Sequence, residues 1–238
     1  MALRSRLNFA PRIYCLTLPG TSRQKEMAAR LNACGLQWEF VYGDDRPPDK
    51  DIPWGYVNKS EWSEAFDKNL SSRYLNGVAG CKTGVLRVLK KALDDGDQGF
   101  IFCNDDILLA DKFRDAALEV INQLPKDVGM LGMCYHIVPD YMKDAGPYFF
   151  ECDGRYRMEW MCFIRRWFAK PYIHALETEG CESDVSIERY LKKHKQKIYL
   201  AKLQLAKLSN EANNSIIGYG VQVKGPDDED LPALYKQI

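Results

Sequence analysis

The sequence predicts an α/β fold in which a mixed, mostly parallel sheet is flanked by helices. Short apolar runs typical of buried strands alternate along the chain with amphipathic segments of helical period. The chain also opens with a strand–helix–strand pattern, the unit from which parallel sheets are built. Its 238 residues are enough to bury a substantial core. We therefore expect one domain with a Rossmann-like, nucleotide-binding half.

The first strand–helix–strand unit is marked by its ends. Residues 12–18 form a short apolar run that predicts a buried strand. Thr21 or Ser22 caps the helix that follows, and Gly35 ends it. A second strand is predicted over residues 38–42. In such units ligands bind beyond the carboxyl ends of the strands, which is where a functional edge is expected.

Three candidate substrate-binding residues fall on this functional edge: Thr17, Arg23 and Asp44. Acidic side chains are the ones favoured at a helix N-terminus, so Arg23 in the first turn indicates a ligand role such as pairing with phosphate. The alternative is a solvated arginine. Asp44 belongs to a Gly-Asp-Asp turn that opens a long, proline-rich loop over residues 43–59. Loops of this kind often carry binding contacts.

The segment Gly77–Gly84 is glycine-rich and is expected to open a helix. Lys82-Thr83 superficially fits a phosphate-binding loop, but that pattern needs glycines where Asn76 and Cys81 stand, and no strand precedes it. A P-loop nucleotidase is therefore excluded. The glycines instead predict a close approach of this helix to another backbone or to a ligand, with Lys82 as a further candidate for substrate binding. An earlier helix is predicted around Trp62, Phe66 and Leu70.

The most informative stretch is Gly99–Leu109, an apolar strand that breaks into Asn104, Asp105 and Asp106. An isolated carboxylate is costly to bury, so a pair at a strand end indicates water, a cation or a ligand. In extended chain, Asn104 and Asp106 would share one face and Asp105 would lie on the other. Mg²⁺ and Mn²⁺ favour oxygen ligands and are often held by one or two carboxylates together with substrate phosphates. The alternative is a solvated turn.

The second half predicts further elements of the same architecture. Asp111 is expected to cap a helix that Pro125 closes. Residues 128–134 are expected to form a strand, with Tyr135-His136 directly after it. His136 could reach a metal or substrate, but a hydrogen-bonded structural histidine is the favoured interpretation. Further on, the sequence predicts a strand over 157–164, a helix over 166–176 disturbed by Pro171, and a last strand over 197–201.

Two acidic residues before a late helix are candidate catalytic residues. Asp184 or Glu182 could act as the general base for an incoming hydroxyl. The alternative is that Ser183 or Asp184 simply caps the helix. Sequence alone leaves both open.

Composition limits the classes of partner. Thirty-three basic and thirty-three acidic residues balance, so no global field attracts nucleic acid or an anionic membrane. The eight cysteines form no C-x-x-C pair and mostly lie in apolar runs, which favours a reducing, cytoplasmic setting. No apolar run approaches a membrane span, so we expect no transmembrane segment. The oligomeric state is not predicted.

Several blocks in order resemble glycosyltransferase family 25, a family of lipopolysaccharide glycosyltransferases. Residues 13–18 with Ser22-Arg23 are similar to its opening strand and S-x-R segment, and Gly77-x-x-Gly80-Cys81 is similar to its G-x-x-G-C motif. Residues 100–107 resemble its strand ending in E-D-D, and Ser183-Asp184 lies where the family has an aspartate before a helix. Two departures are Asn104 at the first acidic position and Gly84-Val85 in place of the family's Ser-His.

The resemblance implies a GT-A-like fold, a nucleotide-sugar donor and Mn²⁺ or Mg²⁺ bridging protein and diphosphate. It implies Asp106 as the metal ligand, Asn104 as an auxiliary ligand or ribose contact, and Thr17 and Arg23 as part of the nucleotide pocket. Asp105 is a further candidate for substrate binding. The expected organisation is an N-terminal extension over 1–11, a single GT-A-like domain over 12–218 and an acidic tail over 219–238.

The predicted function is transfer of a hexosyl group, from a UDP-linked sugar, to a hydroxyl of a glycan acceptor, with inversion carried from the family. Two alternatives stay open: a nucleotidyltransferase on a similar sheet, and a non-catalytic module that binds a nucleotide sugar or glycan. Asn104 and the missing Ser-His favour the latter.

Overall fold

The computed structural model describes residues 9–43, 72–135, 142–152, 161–179 and 183–209. Eight strands form one sheet, in the order β2-β1-β3-β8-β5-β9-β7-β6. Their bounds are β1 Arg12–Thr17, β2 Trp38–Tyr42, β3 Gly99–Asn104, β5 Met130–Cys134, β6 Met142–Asp144, β7 Phe149–Cys152, β8 Met161–Arg165 and β9 Ile198–Ala201. Strands β4 (Ile107–Leu109) and β10 (Ala206–Leu208) form a separate antiparallel pair.

The prediction of a mostly parallel sheet is wrong. Only the pairs β1–β2, β1–β3 and β5–β9 are parallel, whereas the other four pairings of the large sheet are antiparallel. Strand β8 runs against its neighbours β3 and β5, and β6–β7 is a hairpin joined to β9 through β7. Buried strands give continuous apolar runs whichever way they point, so the sequence pattern did not disclose these directions. The α/β class itself is confirmed.

Five helices accompany the sheet in the described ranges. They are α1 Ser22–Cys34, α2 Ser72–Asp94, α3 Phe113–Gln123, α4 Arg166–Thr178 and α5 Ser183–His194. The first begins as predicted, because Thr21 is its N-cap and accepts a hydrogen bond from the Gln24 amide. It also ends as predicted, with Gly35 in the left-handed conformation at φ 72°.

Three local predictions about helices differ from the structure. The glycine-rich segment lies inside α2 rather than at its start. The N-cap of α3 is Lys112, at φ 54°, and not Asp111. Helix α4 continues through Pro171 to Thr178, so the proline does not end it. In the described ranges, no helix combines the length and apolarity needed to cross a membrane.

The sheet separates two apolar cores. On one face, Ile13, Cys15, Ile101 and Cys103 pack with Met27 and Leu31 of α1 and with the apolar stripe of α3. On the other face, the alternate residues Tyr14, Phe100 and Phe102 pack with α2, α4 and α5. Five of the seven cysteines that the structure describes are buried. The two faces therefore bring different helices to the carboxyl ends of β1 and β3.

Candidate active site

The face that carries α1 changes from apolar to polar at the carboxyl ends of the strands. Parallel register places Ile13 beside Trp38 and Ile101, and Cys15 beside Phe40 and Cys103. The next row along β1 and β2 is Thr17 and Tyr42. Because alternate residues of a strand share a face, Thr17 and Tyr42 continue the same two columns. The apolar core thus ends in a polar row at the edge where ligands bind in such sheets.

Thr17, Arg23 and Asp105, predicted separately along the chain, meet at this edge. The Thr17 hydroxyl donates to Asp105 Oδ2 at 2.6 Å, and the pair is buried. Arg23 Nε lies 3.6 Å from Asp105 Oδ1. The Arg23 side chain is only 15% exposed, so it is held against the sheet rather than solvated. One carboxylate is therefore engaged on both oxygens by a strand residue and a helix residue.

Asp106 lies in different surroundings from Asp105. Its Oδ1 is buried and finds no hydrogen-bond partner among the described residues. Burial and the neighbouring charge of Asp105 raise the Asp106 pKa to about 6, while Arg23 opposes that shift. Its backbone carbonyl accepts a hydrogen bond from the Ser209 amide at 2.8 Å, which ties the turn to β10. The orphaned oxygen is an unsatisfied acceptor, and buried acceptors of this kind are rare.

The chain geometry assumed for residues 104–106 is not the one observed. Strand β3 ends at Asn104, and Asp105-Asp106 form a turn before β4. Burial raises the pKa of the Cys15 thiol well above its usual value, and the charges of both Asp105 and Asp106 add to that shift. Both carboxylates therefore lie close to Cys15. Asn104 pairs in register with Leu16, which packs on the opposite core.

Two residues that sequence reasoning did not single out also belong to this edge. Tyr42 is 47% exposed, one of the two large apolar side chains found exposed in the described ranges. Gln24 Nε2, from the first turn of α1, donates to the Tyr42 hydroxyl at 3.1 Å. Arg87 of α2 donates to the Tyr42 carbonyl at 2.9 Å. The signal that could have identified Tyr42 was an aromatic residue at the last position of the strand next to Thr17.

Lys82 lies on α2, where that helix contacts the end of α4 and the beginning of α5. It is buried, with 1% of its surface exposed, and donates to the Glu179 carbonyl and to Ser186 Oγ. Its partners therefore belong to α4 and α5. The prediction that Lys82 binds substrate stays a prediction.

The glycine segment around Lys82 does approach the sheet closely. A Cβ at Gly84 would lie 2.7 Å from Leu16 Cδ1. The predicted close approach is thus to a side chain of β1. It brings the N-terminal half of α2 to the carboxyl end of that strand.

Asp184 lies in the first turn of α5, where its Oδ1 accepts a hydrogen bond from the Val185 amide at 2.8 Å. An acid in this position also interacts favourably with the helix dipole. The predicted residues Asp44, Glu182 and His136 lie outside the described residues, as does the helix predicted around Trp62. The role of Asp184 as a base stays a prediction.

The donor set at the turn fits a hard divalent cation supplied with further ligands by a substrate. The Asp106 Oδ1 atom is an oxygen ligand without a competing hydrogen bond in the described structure. The described residues hold no group of three His, Cys, Asp or Glu side chains arranged for a metal. A cation here would therefore need phosphate and water oxygens to complete its shell, which is usual for Mg²⁺.

No protein-family model and no curated protein matches the sequence significantly. The resemblance to glycosyltransferase family 25 therefore depends on the motifs alone. What the geometry adds is independent of that resemblance: it shows which of the predicted side chains meet.

Proposed function

We propose that the protein is a metal-dependent glycosyltransferase that moves a hexosyl group from a UDP-linked sugar to a hydroxyl of a glycan acceptor. The observation that carries the proposal is the pair of adjacent carboxylates at the carboxyl end of β3. Asp105 is engaged by Thr17 and Arg23, whereas Asp106 keeps an oxygen without a partner in the described structure. We assign the positioning of Arg23 to Asp105 and the binding of a cation to Asp106.

In this proposal, Asp106 holds Mn²⁺ or Mg²⁺, and diphosphate and water oxygens complete the shell, because Asn104 is in register with Leu16 on the opposite core. The bound ion would supply stabilisation of the negative charge that develops on the leaving diphosphate. Arg23 provides a fixed positive charge beside the same phosphates, and Thr17 and Asp105 hold Arg23 in place. Interactions that strengthen as charge develops accelerate transfer more than uniform binding does.

The exposed ring of Tyr42 extends the proposed donor site along the sheet edge. It offers a flat apolar face with a polar hydroxyl, a combination suited to a nucleobase or a sugar ring. Its hydroxyl is tied to Gln24, one residue beyond Arg23. One turn of α1 would therefore contact both the phosphate and the ring of a single ligand.

Asp184 is proposed as the general base that deprotonates the acceptor hydroxyl. The helix dipole favours the charged form of a carboxylate in the first turn. A well-placed general base contributes about 10²–10⁴-fold to a rate. Inversion would follow if the acceptor approaches from the face opposite the diphosphate.

Calorimetric titration with UDP-hexoses, with and without Mn²⁺, tests the donor site directly. Asp106→Asn is expected to lose the metal-dependent part of donor affinity, by at least the roughly 10- to 100-fold that loss of an outer-shell partner of a metal ligand costs. Asp94→Asn is the matched control, since Asp94 is an exposed carboxylate at the end of α2. Asp184→Asn should bind donor normally and turn over slowly.

Full donor affinity in Asp106→Asn would remove the metal role. Product analysis separates the remaining reaction classes, because glycosyl transfer releases a nucleoside diphosphate whereas nucleotidyl transfer makes or consumes pyrophosphate. Donor binding without any hydrolysis or transfer in Mn²⁺ would instead indicate a non-catalytic module.

A further inference from the structure

Lys82 is a buried cation that joins two helices. Its ammonium group donates to the carbonyl of Glu179, the C-cap residue of α4. It also lies 3.3 Å from Ser186 Oγ, in the first turn of α5. The side chain itself extends from the middle of α2, and all three helices pack on the same core. Lys82 therefore bridges the end of one helix and the beginning of the next.

A lysine at this position has a physical requirement to keep its partners. Burying an ammonium is unfavourable unless hydrogen bonds replace its water. The carbonyl at the C-terminal end of a helix is a favourable acceptor, because that end carries partial negative charge. Ser186 adds a second acceptor from α5 and is itself fully buried. Moving either helix end would cost the buried ammonium one of these two hydrogen bonds, so the bridge resists displacement.

Asp184 lies two residues before Ser186 in the same helical turn. The backbone that carries its carboxylate can therefore move only as far as that turn moves. We infer that Lys82 is a positioning residue, which fixes the first turn of α5 and with it Asp184, rather than a group that touches substrate. The functional half of this inference rests on the proposed function, in which Asp184 is the base.

The test compares Lys82→Met with Lys90→Met. Methionine keeps an unbranched apolar stem and removes the charge. Lys90 is a matched control, because it also reaches from α2 to α4, through an exposed ion pair with Glu177 at 2.8 Å, without a contact to α5 in the described structure. Hydrogen exchange is followed at residues 187–189, whose amides close the first turn of α5. Exchange there should accelerate about 10- to 100-fold in Lys82→Met and be unchanged in Lys90→Met.

Kinetics give the second readout. In Lys82→Met, kcat for transfer to acceptor should fall about 10²-fold, as expected when a catalytic group is displaced by about 1 Å. Donor affinity measured by calorimetry should stay unchanged, because Thr17, Arg23 and Asp106 are untouched. Lys82→Arg, which keeps the charge, should recover part of kcat. Ser186→Ala tests the same bridge from its other end and is used if Lys82→Met does not fold.

The outcomes separate the two ideas. Weakened donor affinity with unchanged exchange at 187–189 overturns the inference and indicates that Lys82 contacts substrate. Unchanged exchange with unchanged kcat overturns it as well. If the wild-type protein transfers no sugar, the proposed function fails, and accelerated exchange in both Lys82→Met and Ser186→Ala would still establish the bridge to α5.

Discussion

At the scale of single residues, the adjacent carboxylates Asp105 and Asp106 lie in different surroundings. Asp105 accepts a hydrogen bond from the Thr17 hydroxyl and lies beside Arg23, so its charge is compensated. Asp106 has neither contact, and burial raises its pKa to about 6. Without a cation, the charged form of Asp106 is therefore unfavourable in the folded protein. A cation bound to Asp106 would stabilise this charged form.

This difference predicts how stability depends on pH. The pKa of Asp106 is 3.8 when unperturbed and about 6 in the fold, so the folded protein binds the extra proton in this range. The contribution of Asp106 to the free energy of unfolding should therefore decrease as pH rises from about 4 to 6, by up to about 3 kcal/mol. In chelator, Asp106→Asn should be more stable than wild type by up to that amount at about pH 7.5 and equal to it near pH 4. Urea denaturation measures the difference.

Asp94→Asn serves again as the control, because its carboxylate is exposed. It should show the same pH dependence as wild type. An Asp106→Asn variant that is less stable than wild type at about pH 7.5 in chelator would mean that the Asp106 carboxylate has a partner that stabilises its charge.

At the scale of elements, the beginning of α1 determines much of the proposed site. Thr21 caps the helix, and the next three residues include Arg23 and Gln24. No acidic residue occupies the first turn. The cap fixes the direction of the first turn, so it also fixes where Arg23 meets Asp105 and where Gln24 meets Tyr42.

Removing the cap should therefore affect stability and binding together. Thr21→Ala is expected to lower the free energy of unfolding by about 0.5–2 kcal/mol, because the Gln24 amide loses its acceptor. It should also weaken donor binding, since the turn that carries Arg23 frays. Chemical denaturation and calorimetry measure the two effects. Thr21→Ser keeps the acceptor and should be neutral in both; a loss of equal size in Thr21→Ser would mean that the cap is not the cause.

At the scale of the whole molecule, the sheet of the described residues has central strands paired on both sides and two edge strands. Strands β3, β8 and β5 are each paired on both sides, whereas β2 and β6 have one neighbour each in the described structure. Strand β6 is three residues long and largely exposed. Stability is unevenly distributed in such a sheet, because edge strands open without disrupting the core.

Native-state hydrogen exchange should reproduce this order. Amides of β3 and β8 should exchange only through global unfolding, which corresponds to about 5–15 kcal/mol for an ordinary domain. Amides of β6 should exchange at least about 10²-fold faster, through local opening. Equal protection of β6 and β8 would show that another part of the chain covers that edge.

Local patterns were enough to place most elements. The strands over 12–17 and 38–42 were predicted within one residue, as were the cap at Thr21 and the end at Gly35, whereas the strand from Gly99 was expected to stay extended through Asp106 and ends at Asn104. These features depend on side chains a few positions apart, so the sequence displays them directly. The strand–helix–strand opening also predicted the edge at which Thr17, Arg23 and Asp105 meet.

By itself, then, the sequence determined the α/β class, the ends of its early elements and the carboxylates at one strand end. Only the tertiary structure decided that β8 runs antiparallel between β3 and β5, that Asp105 and not Asp106 meets Arg23, and that Lys82 lies between α4 and α5. These facts join residues about 35 to 100 positions apart, and the free-energy differences among alternative pairings depend on packing that no local pattern encodes.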